Sequence, residues 1–227
     1  MSDEPRAVFG VLLAGGRGRR MGGGDKFLRL LDDRPLLAHV IDRAAPQVAG
    51  LMISANGDVR RLGPFALPVA ADVIEGLAGP LAGVLTGLEW VRVHAPRCAW
   101  VMSFATDTPF FPRNLVTRLM ERVRREGAQI GCAASGGRAH PVFGLWPVVL
   151  ASSLREALTV EGMRKIDAWT ARYRVATVDF PSEPYDPFFN VNTPEDLEEA
   201  ERLLALASEH ARCSRSVSRL DRTSRLG

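Results

Sequence analysis

Val8-Phe9-Gly10-Val11-Leu12-Leu13-Ala14-Gly15-Gly16-Arg17-Gly18-Arg19-Arg20-Met21-Gly22-Gly23-Gly24-Asp25-Lys26 is the stretch on which the reading of the fold turns. Val8 to Leu13 is a short, continuously apolar run of strand length. Ala14 to Lys26 then becomes a glycine-rich basic loop, and apolar character returns at Phe27. Glycines let backbone amides approach an anion closely, and arginine and lysine neutralise its charge. The plainer alternative is an exposed basic turn. So many glycines and cations directly after a buried strand favour a ligand instead. Two familiar phosphate motifs do not fit, because a G-x-G-x-x-G run from Gly16 would need glycine at Met21. A P-loop would need glycine, not Asp25, before Lys26.

Strand-like and helix-like patterns continue to alternate beyond the loop. Helical periodicity covers Leu36 to Ala45, a strand is predicted at Leu51 to Ala55, and a second helix at Leu81 to Val93 follows the Gly79-Pro80 turn. Ala99 to Phe104 reads as a further apolar strand. It leads through Thr106-Asp107-Thr108-Pro109 into a helix with Leu115, Val116, Leu119, Met120 and Val123 on one face. After Gly127, strands are predicted at Ile130 to Ala134, Val142 to Trp146 and Val175 to Phe180, with a helix from Val148 to Leu158. A last helix runs from Pro194 to about Ala207, with Thr193 as N-cap and Asp196 three residues on, close to a capping box. Such alternation with apolar strands predicts an α/β fold: a mainly parallel central sheet with helices on both faces, binding ligands at the carboxyl ends of its strands.

Bulk properties narrow the setting. With 227 residues and 46% hydrophobic content, the chain is long enough for one substantial core. A single domain over residues 1–207 is expected, followed by an Arg/Ser-rich, solvated and disordered tail over 208–227. The net charge of +3 comes from Arg212, Arg215, Arg219, Arg222 and Arg225, opposed in the last eighteen residues by Asp221. Without those five arginines and one aspartate, the 29 basic and 26 acidic residues leave a body one unit negative. Neither a nucleic-acid partner nor a membrane partner is therefore expected. Cys98, Cys132 and Cys213 are odd in number and contain no C-x-x-C pair, which fits a reducing, cytoplasmic location better than a disulfide framework or a zinc site.

Leu13-Ala14-Gly15-Gly16, Arg20-Met21-Gly22 and Lys26 resemble the glycine-rich signature of nucleotidyltransferases that activate sugars, terpenoid precursors and pterins. The doubled Gly15-Gly16 and the Gly22-Gly23-Gly24-Asp25-Lys26 ending are most similar to the molybdenum cofactor guanylyltransferase family, since related cytidylyl enzymes usually read L-A-A-G. Further matches follow in order: Asn56, Asp72, Gly79 to Gly83, Asp107-Thr108-Pro109, His140 to Trp146, and Phe189 to Leu197. Phe104-Ala105-Thr106 departs from the family, which commonly places proline and cysteine just before the aspartate.

The resemblance implies a Rossmann-like nucleotidyltransferase fold, GTP and molybdopterin as substrates, and Mg²⁺ as cofactor. It leaves room for molybdoenzyme-specific chaperones or other cofactor-synthesis proteins as partners. It implies that the backbone of Leu13, Ala14, Gly15 and Gly16, together with Asn56 and Asp72, contacts GTP. Arg20 and Lys26 would face its phosphates, Asp107 would bind the metal, and His140, Asn190 and Asn192 would line the pterin side. Each residue also has a plainer reading. Asp-x-Pro is common where a strand hands over to a helix, Asn-Gly is a turn signal, and a lone loop aspartate is usually solvated. A histidine in an apolar strand is more often structural, and Phe143 and Trp146 read as core. CTP or a sugar phosphate as substrate, or a non-catalytic GTP-binding carrier, are the rival functions.

Overall fold

In chain order the elements are β1 (Val8–Leu13), β2 (Leu30–Leu31), β3 (Arg34–Pro35), α1 (Leu36–Ala44), β4 (Leu51–Ser54), β5 (Val69–Ala70), α2 (Pro80–His94), β6 (Trp100–Ala105), α3 (Leu115–Glu126), β7 (Ile130–Ser135), β8 (Arg138–Pro147), α4 (Ala151–Thr159), α5 (Ile166–Thr170), β9 (Val175–Phe180) and α6 over 194–206. The computed structural model describes residues 8–15, 25–74, 76 and 79–206. Gly16, Arg17, Arg19 and Arg20 of the basic loop, and the tail over 208–227, lie outside the described residues.

Seven strands form one sheet in the order β5-β4-β1-β6-β8-β7-β9, and β2 and β3 make a separate small hairpin. The pairs β1 with β4, β1 with β6, β4 with β5, and β7 with β9 are parallel, whereas β8 runs antiparallel to both β6 and β7. The expected α/β sheet is thus present, with one reversed strand inside it. The reversal is made at Gly136-Gly137, where Ser135 pairs with Arg138 across two residues of positive φ, the conformation a tight hairpin turn requires.

Helices cover both faces, which explains why the inner strands are apolar throughout. Leu37, Val40 and Ala44 of α1 and Leu115, Val116, Leu119, Met120 and Val123 of α3 pack on one face around Leu12, Phe104 and Leu145. On the other face, α2, α4 and α5 bury Leu85, Leu88, Leu154 and Trp169 against Val11, Val101 and Trp146. A smaller cluster docks α6 through Ala200 and Leu203 onto Leu31, Leu36 and Phe110. The start of α6 is a reciprocal capping box: Asp196 N donates to Thr193 Oγ1 at 3.2 Å, and Asp196 Oδ2 accepts from Thr193 N at 2.9 Å. Among the described residues no helix is long and apolar enough to cross a membrane.

One buried hydroxyl ties the reversed strand into the sheet. Ser103 Oγ donates to Val142 O at 2.5 Å and accepts from Trp146 Nε1 at 2.8 Å and from Gly144 N at 3.3 Å. Ser103 is fully buried, so its loss strands the indole N–H away from water. Ser103→Ala is expected to destabilise the fold by about 1–3 kcal/mol in urea unfolding. A loss under about 0.5 kcal/mol would show that the Trp146 N–H is satisfied some other way.

Candidate active site

The chain leaves β1 for β4 on one side, and after β5 it crosses to β6 on the other. The switch point of the sheet therefore lies between β1 and β6, where open α/β sheets bind their ligands. Leu13 ends β1 and Ala105 ends β6, so Ala14, Gly15, Thr106 and Asp107 emerge there together. Thr106 Oγ1 donates to Leu13 O at 3.1 Å, and Ala14 N donates to Ser54 O at 2.9 Å. At the departure Phe104-Ala105-Thr106, Phe104 is core and Thr106 ties the two strand ends together.

Lys26, Asp107 and Asn192 meet at this edge from positions far apart in sequence. Lys26 Nζ lies 2.6 Å from Asp107 Oδ2 and 2.5 Å from Asn192 Oδ1. The lysine side chain is 12% exposed and the aspartate 27%, so the pair is partly shielded from solvent. Asp107 is fixed twice more, with its carbonyl accepting from Val191 N at 2.9 Å and its Oδ1 lying 3.2 Å from Thr108 Oγ1. The same buried hydroxyl contacts the Asn190 side-chain amide. Asn190 and Asn192 therefore form one cluster with Lys26 and Asp107, as part of a segment that passes directly over Asp107.

Asn56 and Asp72 form a second group at the end of β4. Asn56 Nδ2 donates to Asp72 Oδ2 at 2.7 Å, Asp72 N donates to Asn56 Oδ1 at 2.9 Å, and Ser54 Oγ donates to Asp72 Oδ1 at 3.2 Å. Asp72 is a fixed acceptor, not a loosely solvated loop acid. Asn56 does begin a turn, and Gly57 follows it at φ +86°.

His140 stands apart from Lys26 and joins a third group at the far side of the edge. Ser135 Oγ lies 2.7 Å from both His140 Nε2 and Asp186 Oδ1, and Phe188 N donates to Asp186 Oδ1 at 2.9 Å. A serine hydroxyl has one proton. If it goes to the Asp186 carboxylate, His140 Nε2 must carry the hydrogen in that contact. The imidazole stacks on Phe188 with ring centroids 4.5 Å apart. Asp186 and Phe188 belong to the segment that ends on Asn190 and Asn192, so this group anchors the upstream end of that segment. Phe143 and Trp146 are buried core, as their pattern predicted.

Ser135, Asp186 and Arg61 also belong to the site region. They carry no local motif, since each finds its partner through long-range folding, whereas Asp25 lies in the loop signature without any sign there that it would meet Arg61. Gly136-Gly137 was the one available signal, because a two-glycine hairpin would have set Ser135 beside the strand carrying His140.

Among the described residues no group of three or more His, Cys, Asp or Glu side chains could hold a metal ion unaided. Cys98 and Cys132 are both buried, and burial pushes the Cys132 thiol up to about 11, which makes it a poor nucleophile.

A lysine, an aspartate and two asparagines gathered where β1 and β6 end, beyond a glycine-rich loop, belong on this fold to the nucleotidyltransferase class. Residues 10–176 match the family model of the MobA-like NTP transferase domain. The molybdenum cofactor guanylyltransferase of Bradyrhizobium sp. (strain ORS 278) is 53% identical over 210 residues, covering 92% of this chain and 99% of that protein. The enzyme of the same name from Rhodopseudomonas palustris (strain BisB5) is 53% identical over 203 residues, covering 89% and 96%. Molybdopterin-guanine dinucleotide biosynthesis protein A of Archaeoglobus fulgidus shares the fold at a TM-score of 0.67 and 22% identity, covering 87% of this chain and 98% of that one. The chain belongs to the molybdenum cofactor guanylyltransferase family.

Burial lowers the His140 pKa from its ordinary value; Asp186 opposes this and nearby Arg138 adds to it. The folded state then binds a proton less readily than the unfolded chain, whose histidines titrate near about 6.5. The stabilisation is therefore complete above that pH and is lost as pH falls through it. We expect His140→Gln to lose less stability than the wild type between pH 8 and pH 5.5 in urea unfolding. Equal losses in the two proteins would show that His140 has the same proton affinity folded and unfolded.

Proposed function

We propose that the chain transfers the GMP unit of GTP to the terminal phosphate of molybdopterin, forming the guanine dinucleotide and releasing pyrophosphate. The observation that carries this reading is the convergence of Lys26, Asp107 and Asn192 at the carboxyl edge between β1 and β6. A phosphate oxygen of the pterin attacks the α-phosphorus of GTP, the bond to the β-phosphate oxygen breaks, and pyrophosphate leaves. No side-chain nucleophile is needed, so catalysis comes from alignment and charge neutralisation.

Lys26 has three N–H donors, of which Asp107 and Asn192 engage two. Swung onto the triphosphate, its ammonium balances the charge that builds on the departing pyrophosphate. Arg20 assists it from the glycine-rich loop, whose backbone, with Leu13, Ala14, Gly15 and Gly16, cradles the nucleotide. Asn56 and Asp72 receive the nucleoside side. Asn190 and Asn192, on the segment that Ser135 and Asp186 anchor, line the pterin side together with His140 of β8.

Mg²⁺ suits Asp107, whose Oδ2 already holds a cationic ammonium at 2.6 Å and is freed when Lys26 swings onto the triphosphate. One carboxylate completed by phosphate oxygens and water is the donor set this ion takes. Bound there, it would neutralise triphosphate charge during transfer. Molybdoenzyme-specific chaperones are the macromolecular partners we infer, and the cytoplasm, where free thiols persist, is the setting.

The defining experiment supplies GTP or CTP with Mg²⁺ and molybdopterin, reads pyrophosphate release, and identifies the pterin product by mass spectrometry. Guanine dinucleotide from GTP alone is expected. A cytosine product would overturn the base preference, and nucleotide binding without product would favour a carrier. Lys26→Ala and Asp107→Asn are each expected to lower turnover by about 100-fold or more. Turnover is read on the folded population measured by urea unfolding, because removing one partner of this largely shielded pair also weakens the fold. Wild-type turnover in either variant removes that residue from the mechanism.

A further inference from the structure

One side chain links the Lys26 cluster to the Asn56–Asp72 pair, through a sequence neighbour of the first and a member of the second. Arg61 sits on the 3₁₀ turn Val59–Phe65, which is started by Asp58 accepting from Arg60 N at 3.0 Å. Its Nε lies 2.9 Å from Asp25 Oδ2, a charge pair more than an in-line hydrogen bond. Its Nη2 donates to the backbone carbonyl of Asn56 at 2.5 Å. The guanidinium carbon stands 5.8 Å from the centroid of the buried Phe27 ring. A Cβ built on Gly57 would come within 3.2 Å of Nη1, so the turn at Asn56-Gly57 is also shaped to let this group pass.

These contacts divide cleanly between two parts of the site. Asp25 and Phe27 flank Lys26 on either side in sequence, whereas Asn56 is half of the hydrogen-bonded pair with Asp72. A planar guanidinium can meet a carboxylate, a carbonyl and a ring at once from fixed directions, which an ammonium cannot. We infer that Arg61 is a positioning residue, clamping the lysine end of the glycine-rich loop to the nucleoside side of the site so that Lys26 is held in register with the nucleotide. This role rests on the guanylyl-transfer reading above. It places Arg61 in contact with the residues that frame the substrate, not with the reacting atoms. An error of about 1 Å in a catalytic group's placement can cost on the order of 100-fold in rate, so loss of the clamp should appear in turnover.

The test uses the full chain with Arg61→Met, which keeps much of the apolar stem, together with Arg61→Lys, Asp25→Asn and the Arg61→Met/Asp25→Asn double variant. Steady-state kinetics with GTP and molybdopterin are read alongside amide hydrogen exchange over residues 26–29. Arg61→Met is expected to lower kcat about tenfold or more and to raise KM for GTP while leaving KM for molybdopterin unchanged, with faster exchange confined to residues 26–29. The double variant should be no worse than Arg61→Met alone, since both changes cut the same link. Arg61→Lys, which can still pair with Asp25, should recover part of kcat. Unchanged exchange over 26–29, or faster exchange with wild-type kcat and KM, would overturn the role given to Arg61. A wild-type chain that makes no guanine dinucleotide would overturn the functional reading instead, and the exchange measurement would still decide whether Arg61 holds the loop.

Discussion

The contact of the Lys26 ammonium with Asp107 and Asn192 gathers three stretches of chain that the sheet alone would leave independent. Lys26 enters from the end of the glycine-rich loop, Asp107 from the end of β6, and Asn192 from the segment leading into α6. Each is secured by backbone. Asp107 is held by its carbonyl to Val191, and Asn192 N donates to Asp196 Oδ2 at 2.8 Å, the same carboxylate that caps α6. The capping box therefore orients a site residue as well as starting a helix. The site needs all three segments in place, and so it depends on the sheet, the loop and the last helix being folded together.

Much of this was visible in the residues themselves. Continuous apolar runs located β1 and β9 to the residue, and the one-sided apolar stripe located α3, because burial on a fixed face leaves a periodic trace. The direction of β8 left no such trace. An apolar strand looks the same whichever way it runs, and only Gly136-Gly137 marked the reversal. The short elements β2, β3, β5 and α5 escaped because two to five residues are too few to show a period.

The site divided along similar lines. Lys26, Asp107, Asn190 and Asn192 were legible through motif resemblance, and they do meet. Asn56 and Asp72 were legible as candidates, but their mutual hydrogen bonds were not, because sixteen residues of loop and strand separate them. Arg61 was invisible for the same reason, and Asp25, though part of the loop signature, gave no sign of its partner. An arginine in a polar stretch carries no sign of which acid it will meet, and the 3₁₀ turn that aims it becomes known only with the fold.

The segment from Asp186 to Asn192 has a separate significance. It is pinned upstream by Ser135 and downstream by Asp107 and Lys26, and it lies beyond residue 176, where the match to the family model ends. The segment is nevertheless built into the core: Phe188 packs against His140, Phe143 and Phe180, and Val191 is fully buried. Between its anchors Pro187 and Phe188 are buried, so a change there reaches the packing of the sheet and, through Val191 and Asn192, the placement of Asp107 and Lys26. The last stretch of chain before α6 is thus a keystone shared by core and site, and it tolerates little change for either purpose.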